Sequence, residues 1–125
     1  MKKSFNLKTT RYGFFKMYLR LISTAKPLSE LRNKELDALA AIMDRNNRIS
    51  DNFKDREDMN KWPIVFSYEG KQEMADMAGI PEPSFANALS TMRKLNIVKD
   101  NVLNRSLCIY PSKESEITFN FSVNG

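Results

Sequence analysis

The chain has no histidine and only one cysteine, Cys108, in 125 residues. Without a Cys/His set no zinc site can be built, and neither a Ser–His nor a Cys–His nucleophile pair can be assembled. A lone cysteine also excludes an intrachain disulfide and fits a reducing cytoplasm. Glycine is scarce, at four residues, and none lies in a phosphate-cradling loop that ends in Lys-Ser or Lys-Thr. Apolar runs stop after a few residues, far short of a membrane span. The opening Met-Lys-Lys-Ser-Phe-Asn-Leu-Lys carries charge but no apolar export core behind it. The expectation is a cytoplasmic protein that is not an enzyme, with no metal, no cofactor and no membrane partner.

Acidic residues are missing from the first 20 positions, which hold Lys2, Lys3, Lys8, Arg11, Lys16 and Arg20. The chain's formal net charge is +5, so the whole excess lies in this segment and the remainder is nearly neutral. A diffuse electrostatic grip on a polyanion therefore needs the N-terminal segment, or two copies acting together. A hydrophobic content of 42% and a charged content of 28% suit one compact domain with a modest core.

The segment 4–24 is rich in aromatic and aliphatic residues. An extended piece near 4–9 is followed over 12–23 by a strand or a short helix, which periodicity does not distinguish. Pro27 ends that element. Ser29 or Asn33 can cap a helix carrying Leu31, Leu36, Leu39, Ala40, Ile42 and Met43 at helical spacing, predicted to stop at Asn46-Asn47. Residues 47–62 are polar and charged and read as a long loop with room for one helical turn. Its acids Asp51, Asp55, Glu57 and Asp58 alternate with Lys54 and Arg56 and lack the glycine of a calcium loop, so they read as solvated. Trp62 to Phe66 is predicted as a strand, with Trp62 and Phe66 in the core.

From Lys71 to Met92 the pattern is that of two short helices joined at a bend. Met74, Ala78, Ile80, Phe85 and Ala88 fall where the helices press together, and Ala75 is small at the crossing. Gly79 occupies the bend, where a left-handed backbone is needed, and Pro83 suits a first helical turn. Ile97-Val98-Lys99 and Ser106 to Tyr110 then read as two strands around a polar loop. Ile117, Phe119 and Val123 alternate with polar residues, as a final strand or a dimer-forming tail.

The order helix 33–45, strand 63–66, helix 70–78, helix 83–94 and hairpin 97–110 resembles the winged helix-turn-helix family. The run Glu73-Met-Ala-Asp-Met-Ala-Gly-Ile, then Leu89-Ser-Thr-Met-Arg-Lys-Leu-Asn-Ile-Val, is similar to that family's passage into its wing, and Leu107-Cys-Ile-Tyr-Pro to the wing's close. The resemblance covers about residues 30–111 and implies an α+β fold with a three-helix core and a C-terminal β-hairpin wing. It divides the chain into an arm or dimerisation element (1–25), the winged-helix domain (26–111) and a strand or tail (112–125). It looks like small phage or plasmid proteins that regulate transcription or initiate replication, and implies a homodimer on double-stranded DNA.

Under that resemblance the helix 83–94 buries Phe85, Ala88, Leu89 and Met92 and offers Ser84, Asn87, Thr91 and Lys94 to the major groove, with Ser90 and Arg93 beside them. Asn suits adenine, Arg suits guanine, and Ser or Thr suits phosphates and base edges. Lys71 would take a phosphate near the start of the first motif helix. Lys99, Asn101, Asn104 and Arg105 would stand at or near the wing tip, and Lys2, Lys3, Lys8 and Arg11 in the arm would track phosphates or enter a minor groove. Glu82 ahead of the recognition helix, and the few cations on it, depart from the usual DNA-binding pattern. They favour the competing expectation, a protein-interaction or virion- or polymerase-associated component built on the same fold.

Overall fold

The computed structural model describes residues 2–111 and 117–124; for the two terminal strands, 2–9 and 117–124, it describes the backbone. The order is β1 (Lys2–Thr9), α1 (Arg11–Ile22), α2 (Asn33–Ser50), α3 (Trp62–Val65), α4 (Tyr68–Ala78), α5 (Glu82–Lys94), β2 (Val98–Lys99), β3 (Val102–Leu103) and β4 (Ile117–Asn124). The described chain is thus mainly helical, with two small antiparallel sheets. Among the described residues no helix is long and apolar enough to cross a membrane.

The ambiguous segment 12–23 is helical. Thr10 caps α1 by accepting the Gly13 N–H at 3.1 Å, and Phe15 and Leu19, one turn apart, are fully buried. The two ends of the chain, read separately in the sequence, pair with each other. β1 and β4 form an antiparallel ribbon with Phe5 opposite Phe121, Leu7 opposite Phe119, Ser4 opposite Ser122 and Asn6 opposite Asn120. Residues opposed across such a ladder share a face, so this register gathers the apolar positions of both strands on one side.

α2 is the central helix, and every residue from Ala38 to Asn47 is buried. The predicted stop at Asn46-Asn47 is overridden, and the helix runs on to Ser50. Packing on all sides outweighs the few tenths of a kcal/mol by which asparagine disfavours a helix. Asn46 also accepts a hydrogen bond from Ser50 Oγ at 3.4 Å. One residue earlier, Arg45 reaches across to the next two helices. Its guanidinium donates to the carbonyls of Val65 and Ile64, each at 3.0 Å, and to Glu73 at 2.6 Å.

Those carbonyls explain a second departure. Trp62 to Phe66 is not a strand but the short helix α3, with Pro63 in its first turn and the Phe66 N–H bonded to the Trp62 carbonyl at 3.0 Å. The apolar composition allows either conformation; Arg45 satisfies the free carbonyls at the helix end in place of a strand partner. Trp62 and Phe66 are buried, as expected. Gly70 on α4 lies so close to this junction that a Cβ there would stand 2.5 Å from the Val65 carbonyl and 2.6 Å from Arg45 Nε.

The polar stretch after α2 is a run of turns with one short helical turn at Met59–Lys61 and with Asp55 and Glu57 exposed; its departure from a solvated loop is Lys61. Asp55 and Asp58 accept the N–H groups of Glu57 and Asn60, each at 2.9 Å, and so close tight turns. Lys61 is buried to 1% exposure. Its ammonium donates to Ser50 Oγ at 2.9 Å, to the Tyr110 hydroxyl at 2.8 Å and to the Arg56 carbonyl, and lies 4.9 Å from the Trp62 ring centre. Three acceptors and the faces of Trp62 and Tyr110, the latter ring centre at 5.1 Å, replace the water this charge would otherwise require.

Candidate nucleic-acid interface

α4 and α5 are positioned by local capping. Ser67 Oγ accepts the Gly70 N–H at 3.0 Å and starts α4. Gly79 ends it with φ 70, while the Ile80 N–H bonds to the Ala75 carbonyl at 3.1 Å. α5 ends in the same way with asparagine in place of glycine. Asn96 takes φ 60, and the Ile97 N–H bonds to the Met92 carbonyl at 2.9 Å. Asparagine is the residue that best tolerates this left-handed cap after glycine. Both caps fix where the chain leaves each helix, and so how α5 is oriented.

α5 buries Phe85, Ala88, Leu89 and Met92, the face read from periodicity. Its outward ridge is made of Pro83, Ala86, Asn87, Ser90, Arg93 and Lys94, all exposed. Ser84 and Thr91 lie half-buried on one shoulder, and the Thr91 hydroxyl donates to the Asn87 carbonyl at 3.2 Å. The outward centre is therefore rotated from Ser84 and Thr91 toward Asn87, Ser90 and Lys94. Beyond Glu82 in the first turn, α5 carries no carboxylate.

Each shoulder of α5 borders a groove. Ser84, Asn87 and Ala88 share one of about 530 Å³ with Arg32, Asn33, Lys34 and Glu35 at the start of α2. On the other side Glu82, Ala86 and Arg93 share one of about 210 Å³ with Tyr68, Lys71 and Gln72 of α4. Lys71, read in the sequence only as a residue near the start of the first motif helix, thus stands beside α5. Arg32, Lys34, Tyr68 and Gln72 were not singled out in the sequence, because no local pattern links them to α5.

The hairpin after α5 is shorter than predicted. β2 and β3 pair over two residues each, with Asp100 and Asn101 at φ 53 and 57 in the turn between them. Positive φ at both central residues is the turn that matches strand twist. Lys99 and Asn101 are exposed there, and Asn101 Oδ1 accepts from Arg93 Nη2 at 3.1 Å. Ser106 to Tyr110 is not a strand; residues 105–107 form a single tight helical turn. Asn104 and Arg105 consequently sit away from the tip. Asn104 Oδ1 caps that turn by accepting from Ser106 N and Oγ at 3.0 and 2.8 Å, and Arg105 pairs with Glu57 at 3.0 Å.

Arg11 belongs to α1 and is half-buried, its Nε without a hydrogen-bond partner. It acts on Asp44 of α2, where its charge opposes the upward push of burial on the carboxyl group. Lys2, Lys3 and Lys8 lie on β1, and their side chains are outside the described residues. Cys108 is half-buried after the tight turn, and burial pushes its thiol up from the ordinary value. No protein-family model, no curated protein and no solved structure matches the chain.

Proposed function

We propose that the chain is a winged helix-turn-helix protein that binds double-stranded DNA site-specifically as a homodimer, in transcription control or the initiation of replication. α5 is the recognition helix and the hairpin at 98–103 its wing. The observation that carries this reading is the composition of the α5 ridge. Asn87, Ser90, Arg93 and Lys94 are exposed donors and acceptors on a helix of 13 residues, with no carboxylate after its first turn. Such a helix fits a major groove, where an amide reads base edges while hydroxyls and cations meet phosphates. Lys99 in the hairpin adds a cation suited to the adjoining backbone.

Two eight-residue strands in a two-stranded ribbon leave both outer edges unpaired within the described fold. An isolated ribbon is marginal in water, and a second copy adding strands or covering its apolar positions would both stabilise it and set two recognition helices at a fixed spacing.

The test is fluorescence anisotropy on a duplex selected from a random library and on an unselected duplex. The wild type should bind both at low salt and the selected one more tightly. Asn87→Ala should weaken the selected duplex by about 1–3 kcal/mol, roughly fivefold or more, and the unselected one little. Equal losses on both would remove base readout from Asn87.

The rival reading, a protein-interaction module, draws on Met59, Ile64 and Tyr68, which are large, apolar or aromatic, and exposed at 61%, 44% and 74%. It requires negligible duplex affinity even at low salt.

A further inference from the structure

The helical positions of α5 divide its surroundings in two. Ser84 and Asn87 border the groove toward α2, Glu82 and Arg93 that toward α4, and Ser90 and Lys94 stand between. Each side supplies two cations. Arg32 and Lys34 come from the start of α2, some fifty residues before α5 in the chain. Lys71 comes from α4, and Arg93 from α5 itself. We propose that these two pairs grip the two phosphate strands that border one major groove while the ridge of α5 reads its floor. The inference rests on the DNA-binding reading above and adds which groups hold the backbone and on which sides.

Dimensions and charge both support it. A helix with its side chains is about 10–12 Å across, and the major groove is about 12 Å wide, so groups beside the two shoulders meet opposite walls. Lys34 and Lys71 form no ion pair among the described residues. Arg32 lies 3.5 Å from Glu35, yet its side chain is 87% exposed, and the same carboxylate oxygen already accepts the Arg32 backbone N–H at 2.8 Å. Its guanidinium can therefore leave this exposed contact for a phosphate, with Glu35 the carboxylate that lines the α2-side groove. Arg93 is held in place by Asn101. Tyr68, with its phenol exposed, and Gln72 add neutral donors on the α4 side. Glu82 is the one carboxylate in the α4-side groove, and it reduces the attraction there without cancelling two cations.

Phosphate contacts carry charge but no sequence information, so these groups should act alike on every duplex. The experiment measures affinity of the full chain for a fluorescein-labelled random 20-bp duplex across about 25–200 mM NaCl. Each phosphate neutralised contributes about 0.9 to the slope of log K against log salt. Arg32→Gln with Lys34→Gln should lower that slope by about 1.8, and so should Lys71→Gln with Arg93→Gln. Lys54→Gln, an exposed cation on the polar loop, should leave it unchanged. Circular dichroism melting checks folding, and the single variants Lys34→Gln and Lys71→Gln, each expected to remove about 0.9, serve if a double variant unfolds. An unchanged slope in both pairs, with the wild type binding steeply, overturns this inference and leaves the DNA reading standing. Loss from only one pair also overturns it, since α5 would then follow a single strand. A wild type with no duplex affinity at low salt overturns both.

Discussion

Arg93, in the last turn of α5, donates to the side chain of Asn101 at the hairpin tip across 3.1 Å. The bond ties the helix to the turn eight residues later and holds the guanidinium beside the α4 shoulder. Asn101→Gly removes it without disturbing the backbone, because φ is 57 at that position and glycine accepts it freely. The expected outcome is a thermal stability unchanged within about 0.5 kcal/mol. Duplex affinity should fall by roughly three- to tenfold, the size of one net hydrogen bond. Unaltered affinity would show that Arg93 needs no positioning by the hairpin.

Glu82 should have opposite effects on folding and on binding. A carboxylate in the first turn favours the helix through its dipole by about 0.3–1 kcal/mol, yet this one borders the groove that holds Lys71 and Arg93. Glu82→Gln should lower stability in urea by a few tenths of a kcal/mol while tightening duplex binding severalfold at low salt. The gain should shrink as salt rises. A substitution that weakens binding would place Glu82 away from phosphate.

Two glycines are required for different reasons. Gly70→Ala would force a methyl group within 2.5 Å of the Val65 carbonyl and against Arg45, and backbone cannot yield as a side-chain tip can. The expected destabilisation is about 1–3 kcal/mol, read from the midpoint of urea unfolding. At Gly79 the space is open but φ is 70, so Gly79→Ala should cost about 1–2 kcal/mol through backbone strain alone. Restoring Gly70→Ala by also shortening Arg45 should fail, because the carbonyl remains.

Tyr12 provides a pH signature of the α1–α2 contact. Burial first, then the carboxylates of Asp37 and Asp44, push its phenol from the ordinary 10.0 up to about 12 against the pull of Arg20. The folded state therefore keeps this proton where the unfolded chain releases it. Stability from this group is complete below about pH 10 and is lost as pH rises toward 12. Absorbance titration at the tyrosinate band should show a late-ionising component that is missing in Tyr12→Phe. That variant should also lose less stability than the wild type between these pH values.

What the sequence by itself determined is local. The helices α4 and α5, the bend at Gly79 and the buried face of α5 follow from apolar spacing and capping chemistry that act within one or two turns of chain. The α5 face was legible for the same reason, and the structure turns its centre only from Ser84 and Thr91 toward Ser90. Tertiary structure decided what depends on partners far along the chain. Asn46 and Asn47 continue a helix they would end in isolation, because α2 is enclosed on every side. Trp62 to Phe66 coils because Arg45, twenty residues away, takes its carbonyls. Arg32 and Lys34 stand beside Asn87 only once α2 is laid against α5. Arg105, which by its place in the chain belongs with the hairpin, is drawn to Glu57 instead. Spacing encodes which side of a helix is apolar; the long-range hydrogen bonds and ion pairs that choose between conformations of similar local energy exist only after the chain has closed on itself.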